Sequence, residues 1–479
     1  MLNQLKRFGG DSLLYALMNV GTKLIAFLML PIYTSFVGSS EYGIFDLVES
    51  TTNLLTFLII FGTDSALAYF YFEKKHAERK MDYVRNVFLF RFLIALGLVV
   101  LSFILGPWLS VWLTGEPGHE YVIQLAFIVL LMEAMITVIL TFFRFEFLTL
   151  KVVIPTVARL AMVAVFSYLF LLVFAQEIDM IFYGRIVAAG VIILFLLPQF
   201  KNFFTIRFDK TIMKELLIYG APLVPASLSF WLIAQANRFF INGFEGLEAN
   251  GLFGAAMKFA TVITLLTSGV QMAWRPYSMS IKDKPNAKSI FASVYVLIFA
   301  IGMFGLMGIA TFIPFIFEAV MTNEEFHPAS VYIPLLSLGA FLNFYYLIIS
   351  VGLFIKKETK PISIQFGIAA AISIILNIIL IPLYSLWGAA MAITISYGYA
   401  TVAIFIRSQK TYHVPAPVGK LIFMFITSLL SIAAVQYILD FSNLSIWLVL
   451  IPWAFFLLTN GGILLTLRKR GKTDAGDTQ

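Results

Sequence analysis

The sequence contains no cysteine, and only 12% of its 479 residues are charged. The absence of cysteine excludes disulfides, thiolate chemistry and cysteine-based metal sites. The low charge excludes an ordinary soluble surface, because globular domains carry about 25% charged residues. The four histidines fall in different connecting segments, so the sequence predicts no metal site.

Motifs of nucleotide-dependent and hydrolytic enzymes are also missing. Gly471-Lys472-Thr473 resembles the end of a phosphate-binding loop, but neither Thr466 nor Leu467 supplies the earlier glycine. GxSxG, HExxH and the glycine-rich dinucleotide fingerprint do not occur. We therefore expect no cofactor and no enzyme activity. A glycan polymerase or ligase is the weakest alternative, since the predicted outer loops are short.

Long apolar runs are what the sequence has in abundance. Hydrophobic residues make up 60% of the chain, and the mean hydropathy is +0.92. About fourteen runs approach the roughly 20 residues that a helix needs to cross the hydrocarbon core. The sequence predicts an all-α polytopic membrane protein with about 14 transmembrane helices.

The connectors between these runs alternate between basic and acidic. The basic set includes Lys74, Lys75, Arg79, Arg144, Lys151, Lys201, Arg207, Lys282, Lys284, Lys288, Lys356, Lys357, Lys360, Arg407 and Lys410. The other set carries acids such as Glu41, Glu116, Glu177, Glu245, Glu325 and Asp440. Short basic loops face the cytoplasm, so both termini are predicted to be cytoplasmic. The net charge of +7 is assigned to membrane lipids and not to nucleic acid.

A weak internal repeat divides the chain into two halves. The segment Glu41–Phe45 (EYGIF) resembles Ala249–Phe253 (ANGLF), which lies 208 residues later. We predict an N-lobe over residues 1–200, a cytoplasmic interfacial linker over 201–213 and a C-lobe over 214–410. Two further helices and a basic tail occupy 411–479. Two six-helix lobes then form parallel repeats in a pseudo-two-fold arrangement, which favours a substrate site between them.

Basic residues inside the predicted spans are the candidate substrate contacts. Ionisable groups at this depth are costly and point to a polar cavity or to paired charges. Lys23 and Lys258 lie roughly 16 Å and 13 Å into their spans, near the midplane. Arg159 lies at intermediate depth, and Arg238 toward an outer end, which hints at a function or a paired acid. A cationic lumen of this kind suits an anionic headgroup.

Acidic residues at depth leave two interpretations open. Glu49, Asp64 and Glu133 could couple transport to an ion gradient, or could only pair with bases in the lumen, for example Glu49 with Lys258. The residues Pro31, Gly220, Pro222 and Pro225 predict kinks in the first and seventh spans, which suit alternating access but also occur without it.

Five short segments together resemble one family. They are Leu30–Thr34 (LPIYT), Gly38–Phe45 (GSSEYGIF), Phe61–Ala66 (FGTDSA), Gly220–Leu228 (GAPLVPASL) and Asn237–Ile241 (NRFFI). The combination resembles polysaccharide-export flippases of the MOP superfamily. The resemblance implies six plus six helices, often with two more, that open alternately to each side. It also implies that undecaprenyl-diphosphate-linked oligosaccharide is moved across the bacterial plasma membrane, and that cationic lumen residues contact the diphosphate.

Departures from the family pattern and other cargoes leave alternatives. Asn237 stands where relatives often have aspartate, and Tyr69 where they often have arginine, so a particular ion-pair lock is not carried over. A cation-coupled multidrug antiporter of the same fold and a flippase for a lipid-linked peptidoglycan precursor are the competing functions. Polysaccharide assembly proteins are possible partners.

Overall fold

The computed structural model describes residues 2–73, 78–203, 208–440 and 446–476, and most residues in these ranges are helical. The chain forms two compact units, one over Met1–Ala255 with Ile374–Leu386 and the other over Ala256–Ser373 with Trp387–Gln479. Within the described ranges, twelve helical segments are long and apolar enough to cross a membrane. The predicted all-α polytopic fold is confirmed.

The first unit contains eleven helices and most of a twelfth. These are α1 (Leu2–Phe36), α2 (Ser39–Ile60), α3 (Thr63–Phe72), α4 (Lys80–Ile104), α5 (Gly106–Thr114), α6 (Glu120–Phe145), α7 (Thr149–Val173), α8 (Ile178–Phe195), α9 (Leu197–Phe203), α10 (Lys210–Gly220), α11 (Val224–Gln235) and α12 (Asn237–Ala260). Its core lies where α4 packs on α6 and α6 on α8, around buried residues such as Phe88, Ile139 and Phe203. The helices α7 and α8 pack together along their length.

The second unit is built from the later helices. These are α13 (Val262–Ile281), α14 (Ala287–Val320), α15 (Ile333–Ile349), α16 (Val351–Ile355), α17 (Lys360–Tyr384), α18 (Leu386–Thr411), α19 (Val418–Asp440) and α20 (Leu450–Gly476), with the end of α17 assigned to the first unit. Short 3-10 helices cover Ala221–Leu223, Glu324–Tyr332 and Ile446–Val449. In this unit α14 packs on α15 and α19, and α13 packs on α15.

One helical segment, Lys210–Thr264, is long enough for two membrane crossings. Its 55 residues span about 80 Å as straight helix, more than twice the hydrocarbon thickness. Gly246 interrupts it with φ 89° and ψ −176°, a conformation essentially confined to glycine. Arg238 and Gly254, on either side of Gly246, both approach Asp46 of α2. The chain therefore reverses at Gly246, and this segment contains two crossings.

The seventh span is interrupted after Gly220, where the sequence predicts a kink. The helix α10 ends at Gly220, a 3-10 turn covers Ala221–Leu223, and α11 begins at Val224 with Pro225 in its first turn. Proline fits the first turn of a helix because its missing N–H has no partner there in any case. At the C-terminal end, Trp447–Ile463 is a shorter apolar helix. With the hairpin at Gly246, it accounts for the predicted number of about 14 crossings.

The predicted linker over 201–213 is only partly described, since residues 204–207 lie outside the described ranges. Asp209 is the N-cap of α10, where its carboxylate accepts bonds from the backbone N–H groups of Thr211 and Ile212. Arg79 lies 2.7 Å from the same carboxylate. These two backbone N–H groups and the arginine charge lower the pKa of Asp209. The division of the chain into two six-helix lobes stays a prediction.

Candidate functional site

A line of contacts follows α2 and α3 from end to end, and we call it the α2 seam. It joins Gly43 to Gly251, Asp46 to Arg238, Ser50 to Trp231 and Gln235, Gly62 to Gly220, and Tyr69 to Tyr219. All of these residues belong to the first unit. In the predicted division of the chain, one side of the seam comes from the N-lobe and the other from the C-lobe.

The Gly43 end of the seam is closed by backbone against backbone. A Cβ atom added at Gly43 would lie 2.0 Å from the carbonyl oxygen of Leu247, and one added at Gly251 would lie 1.9 Å from that of Ser39. Neither position accepts any side chain without separating the helices. The side-chain amide of Asn250 donates to the Gly43 carbonyl over 2.9 Å and fixes the contact.

The same end of the seam repeats the 208-residue offset found in the sequence. Gly43 corresponds to Gly251, and Ser39 corresponds to Leu247, so each glycine meets the residue four positions before the other. A two-fold exchange of the two segments reproduces the contact. The repeat first recognised in the letters EYGIF and ANGLF therefore coincides with a pseudo-symmetric contact between these two segments.

An ion pair lies next along the seam. Arg238 Nε donates to Asp46 Oδ2 over 2.9 Å, and both side chains are 4% exposed. The guanidinium also donates to the Ala234 carbonyl and to the side-chain oxygen of Asn237. It lies over the Phe253 ring as well. The position of Arg238 toward the end of a span is thus explained by a paired acid, one of the two possibilities that the sequence left open.

The Gly62 end of the seam contains a break in the second span. Phe61 (φ 43°) and Gly62 (φ 72°) are left-handed, and they separate α2 from α3. A Cβ at Gly62 would lie 2.2 Å from the Gly220 carbonyl oxygen, so the break of the second span touches the break of the seventh. Next to this contact, Tyr69 of α3 stacks on Tyr219 of α10, with ring centroids 4.9 Å apart.

Arg91 of α4 holds the start of α3 in place. Its guanidinium donates to Thr63 Oγ1 over 2.7 Å and to Asp64 Oδ1 over 2.7 Å. Arg91 is 1% exposed and is among the largest fully buried side chains. Arg91 is therefore the buried partner of Asp64. Nothing in the local sequence pattern signals this partner, which lies 27 residues away.

The other acids proposed for coupling also have arginine partners. Glu133 accepts a short hydrogen bond from Arg159, linking α6 to α7. Glu49 lies 3.7 Å from Arg185, whose guanidinium lies over the adjacent rings of Phe45 and Phe182. The predicted pairing of Glu49 with Lys258 stays a prediction.

The two midplane lysines occupy different settings. Lys23 lies on α1, is exposed, and forms no ion pair with any residue whose side chain the structure describes. Lys258 lies half-buried in the last turn of α12. Their roles in substrate binding stay predictions, as do those of Arg159 and Arg238. In the described part of the chain, no group of three His, Asp or Glu side chains is placed to hold a metal ion.

Comparison with known proteins identifies the family. A family model described as "Polysaccharide biosynthesis protein" matches residues 8–282, more than half of the chain. The chain belongs to this family. An uncharacterised membrane protein of Methanocaldococcus jannaschii is 23% identical over 418 residues, which are 80% of this chain and 79% of the relative.

Solved structures agree on the fold. The lipid II flippase MurJ, in an inward closed conformation, is similar with a TM-score of 0.70, 16% identity, and coverage of 97% of this chain and 99% of that one. An inward-facing multidrug resistance transporter of the MATE family has a TM-score of 0.59 and 16% identity, covering 81% of this chain and 94% of its own. The chain therefore has the fold shared by these transporters of the MOP superfamily.

Proposed function

We propose that the protein is a flippase that moves undecaprenyl-diphosphate-linked oligosaccharide across the plasma membrane by alternating access, with both termini in the cytoplasm. The family supports a role in polysaccharide biosynthesis. The observation that carries the mechanism is the α2 seam, because backbone packs directly on backbone at both the Gly43 end and the Gly62 end. Backbone contacts of this kind separate without rearranging rotamers, so a rocking motion of two lobes can break and remake them.

In this proposal Lys23 and Lys258 meet the diphosphate, since a dianion in a low-dielectric passage needs compensating positive charge. Arg159 and Arg238 reach the substrate only when their pairs with Glu133 and Asp46 open. Protonation of Glu133 or Asp64 would release an arginine, which is how we propose that an ion gradient is coupled to the cycle. Glu49 is a third candidate through Arg185.

Cross-linking tests the mechanism, and the absence of native cysteine makes it clean. Ser39→Cys with Leu247→Cys places one thiol on each side of the Gly43 end. A short bifunctional thiol reagent should abolish export of surface glycan, because the seam can no longer open. The matched control is Ser167→Cys with Ile181→Cys, which joins α7 to α8 within one predicted lobe, where Ser167 donates to the Ile181 carbonyl. Full export after efficient cross-linking at residues 39 and 247 would reject the mechanism.

Charge neutralisation tests the site. Lys23→Gln and Lys258→Gln should each lose surface-glycan export while the protein level in the membrane stays normal. Lys410→Gln, which removes one charge from the last turn of α18, is the control. Normal export by both variants would remove these lysines from the substrate site.

The second candidate is a flippase for a lipid-linked peptidoglycan precursor. The similarity to MurJ over 97% of the chain favours it over drug transport, but at 16% identity this likeness carries the fold alone. Both cargoes share the diphosphate, so complementation of a strain lacking each export step separates them. A drug-resistance assay in the same strains tests the multidrug antiporter.

A further inference from the structure

Outside the α2 seam, the second unit contains a cavity of about 250 Å³ between α13 and the α15–α16 pair. Gln271, Trp274, Arg275 and Ser278 of α13 line one wall, and Phe354 of α16 lies on the opposite one. This volume is smaller than the roughly 300–1,000 Å³ of sites for whole drug-sized ligands. It suits a compact group such as a phosphate and not an oligosaccharide.

Arg275 is the only basic side chain among the cavity's lining residues. Its guanidinium carbon lies 4.1 Å from the centroid of the Phe354 ring, a cation–π contact. The guanidinium N–H groups donate to no described residue, so they are available to a ligand. No carboxylate of the described side chains forms an ion pair with Arg275.

The rest of the cavity wall is held in place. Trp274 Nε1 donates to the Ile348 carbonyl over 3.2 Å, and Ser278 Oγ donates to the Arg275 carbonyl over 3.0 Å. Trp274 also packs edge-on against Phe291. Only the arginine and the amide of the exposed Gln271 are left to bind a ligand. Their chemistry, a planar cation beside a neutral amide, matches an oxyanion.

The connectors next to the cavity add positive charge. The helix α13 runs into Lys282, Asp283 and Lys284, and α16 runs into Lys356, Lys357 and Glu358. These six residues carry four positive and two negative charges, so the field at this end of the unit is net positive. An anion approaching along the membrane surface is attracted toward the cavity.

We propose that this cavity is a binding site for the phosphate of a membrane lipid, with Arg275 as the charged ligand, Gln271 as a second donor, and Trp274 and Phe354 as the apolar wall beside the lipid chain. Two lipids offer this chemistry, an anionic phospholipid and a polyprenyl phosphate carrier. Binding at this site does not depend on transport, so it survives or fails independently of the flippase function.

A single engineered cysteine reports on the site, because the chain has none of its own. Met279, which also lines the cavity, is replaced as Met279→Cys and labelled with bimane, whose fluorescence the neighbouring Trp274 quenches. The labelled protein in neutral detergent is titrated separately with phosphatidylglycerol, undecaprenyl monophosphate and phosphatidylcholine. We expect a saturable change with at least one of the two anionic lipids and none with phosphatidylcholine.

Arg275→Gln in this background should raise the half-saturating lipid concentration at least tenfold, and Arg275→Lys should recover part of the loss. Arg407→Gln, which removes an exposed arginine from α18, should titrate like the parent protein. A response to phosphatidylglycerol assigns the site to bulk membrane lipid, and a response to undecaprenyl monophosphate alone assigns it to the carrier.

Equal titration curves for the parent and Arg275→Gln would overturn the proposal, as would an equal loss in Arg407→Gln. Size-exclusion profiles establish that each variant is folded. If Arg275→Gln does not fold, Gln271→Leu removes the second donor and should weaken binding severalfold. An unchanged Gln271→Leu curve would then overturn the proposal.

Discussion

Arginines in the two units of this protein have different surroundings. In the first unit Arg91, Arg159, Arg185 and Arg238 each lie beside a carboxylate of another helix. In the second unit, Arg275 lies beside an aromatic ring and lines a cavity. A base whose charge is already compensated within the protein stabilises helix packing, whereas an uncompensated one is available to an anion. Charge inside a span is therefore informative only together with its partner.

The largest effect is expected when the most buried arginine–carboxylate pair, Arg238 with Asp46, loses its arginine. Arg238→Ala leaves Asp46 buried and uncompensated, and we expect a loss of about 3–5 kcal/mol in the free energy of unfolding. Equilibrium unfolding in mixed micelles measures it. The double variant Asp46→Leu with Arg238→Met is the control and should recover most of the loss. A loss below about 1 kcal/mol for Arg238→Ala would mean that the pair does not hold the seam.

Arg91 should come next, because its partner is less buried. Its side chain is 1% exposed but that of Asp64 is 43% exposed, so water can take over part of the lost contact. We expect Arg91→Met to lose about 2–3 kcal/mol, the range for hydrogen bonds to charged groups. Thr63→Val, which removes one acceptor and keeps the ion pair, should lose less than half of that. Equal losses in the two variants would contradict the role given to the charge.

The variant Arg159→Gln tests whether water or lipid surrounds the pair of Arg159 with Glu133. The side chain of Glu133 is 44% exposed. If the exposed part meets a wet lumen, as the proposed mechanism requires, the loss in unfolding free energy should be about 1 kcal/mol or less. Glu133→Gln should then cost a similar amount. A loss comparable with that of Arg238→Ala would place the pair against lipid and speak against the lumen.

The smallest effect should come from the ion pair outside the membrane spans. Asp209 is partly exposed, and its pKa is lowered by the backbone N–H groups of Ile212 and Thr211 and by Arg79. A lowered pKa stabilises the fold above the unfolded value of about 3.9, and this contribution is lost as the pH falls through the folded value. Asp209→Asn should therefore melt slightly below the parent at pH 7, and the difference should shrink as the pH falls below about 3.9. A difference that does not change with pH would assign the effect to packing.

The sequence was sufficient for the fold but only partly for the site. Hydropathy predicted the all-α membrane fold, and Gly220 with Pro222 predicted the break that follows α10. These features are local, so a window of one or two helical turns contains the signal. The repeat between Glu41–Phe45 and Ala249–Phe253 was also visible, although only the coordinates reveal that its two copies touch.

Charge pairing was beyond the sequence because it depends on helix rotation and neighbour choice. Depth estimates did not indicate that Arg185 lies 3.7 Å from Glu49. They also gave no sign that Arg91, which is 1% exposed, pairs with Asp64. A rotation of 100° per residue decides which face a side chain occupies, and apolar residues on every face of these helices leave that rotation unmarked.

The two-fold relation between Gly43 and Gly251 has a consequence for the register of the helix contact. Each segment supplies both a glycine and the carbonyl group that packs on the opposing glycine, so the register is specified twice by one local pattern. A slip of a single residue places side chains where both segments need bare backbone, and the steric clash arises at both glycines at once. In the proposed transport cycle, this contact would return to one alignment after every separation without a third element to guide it.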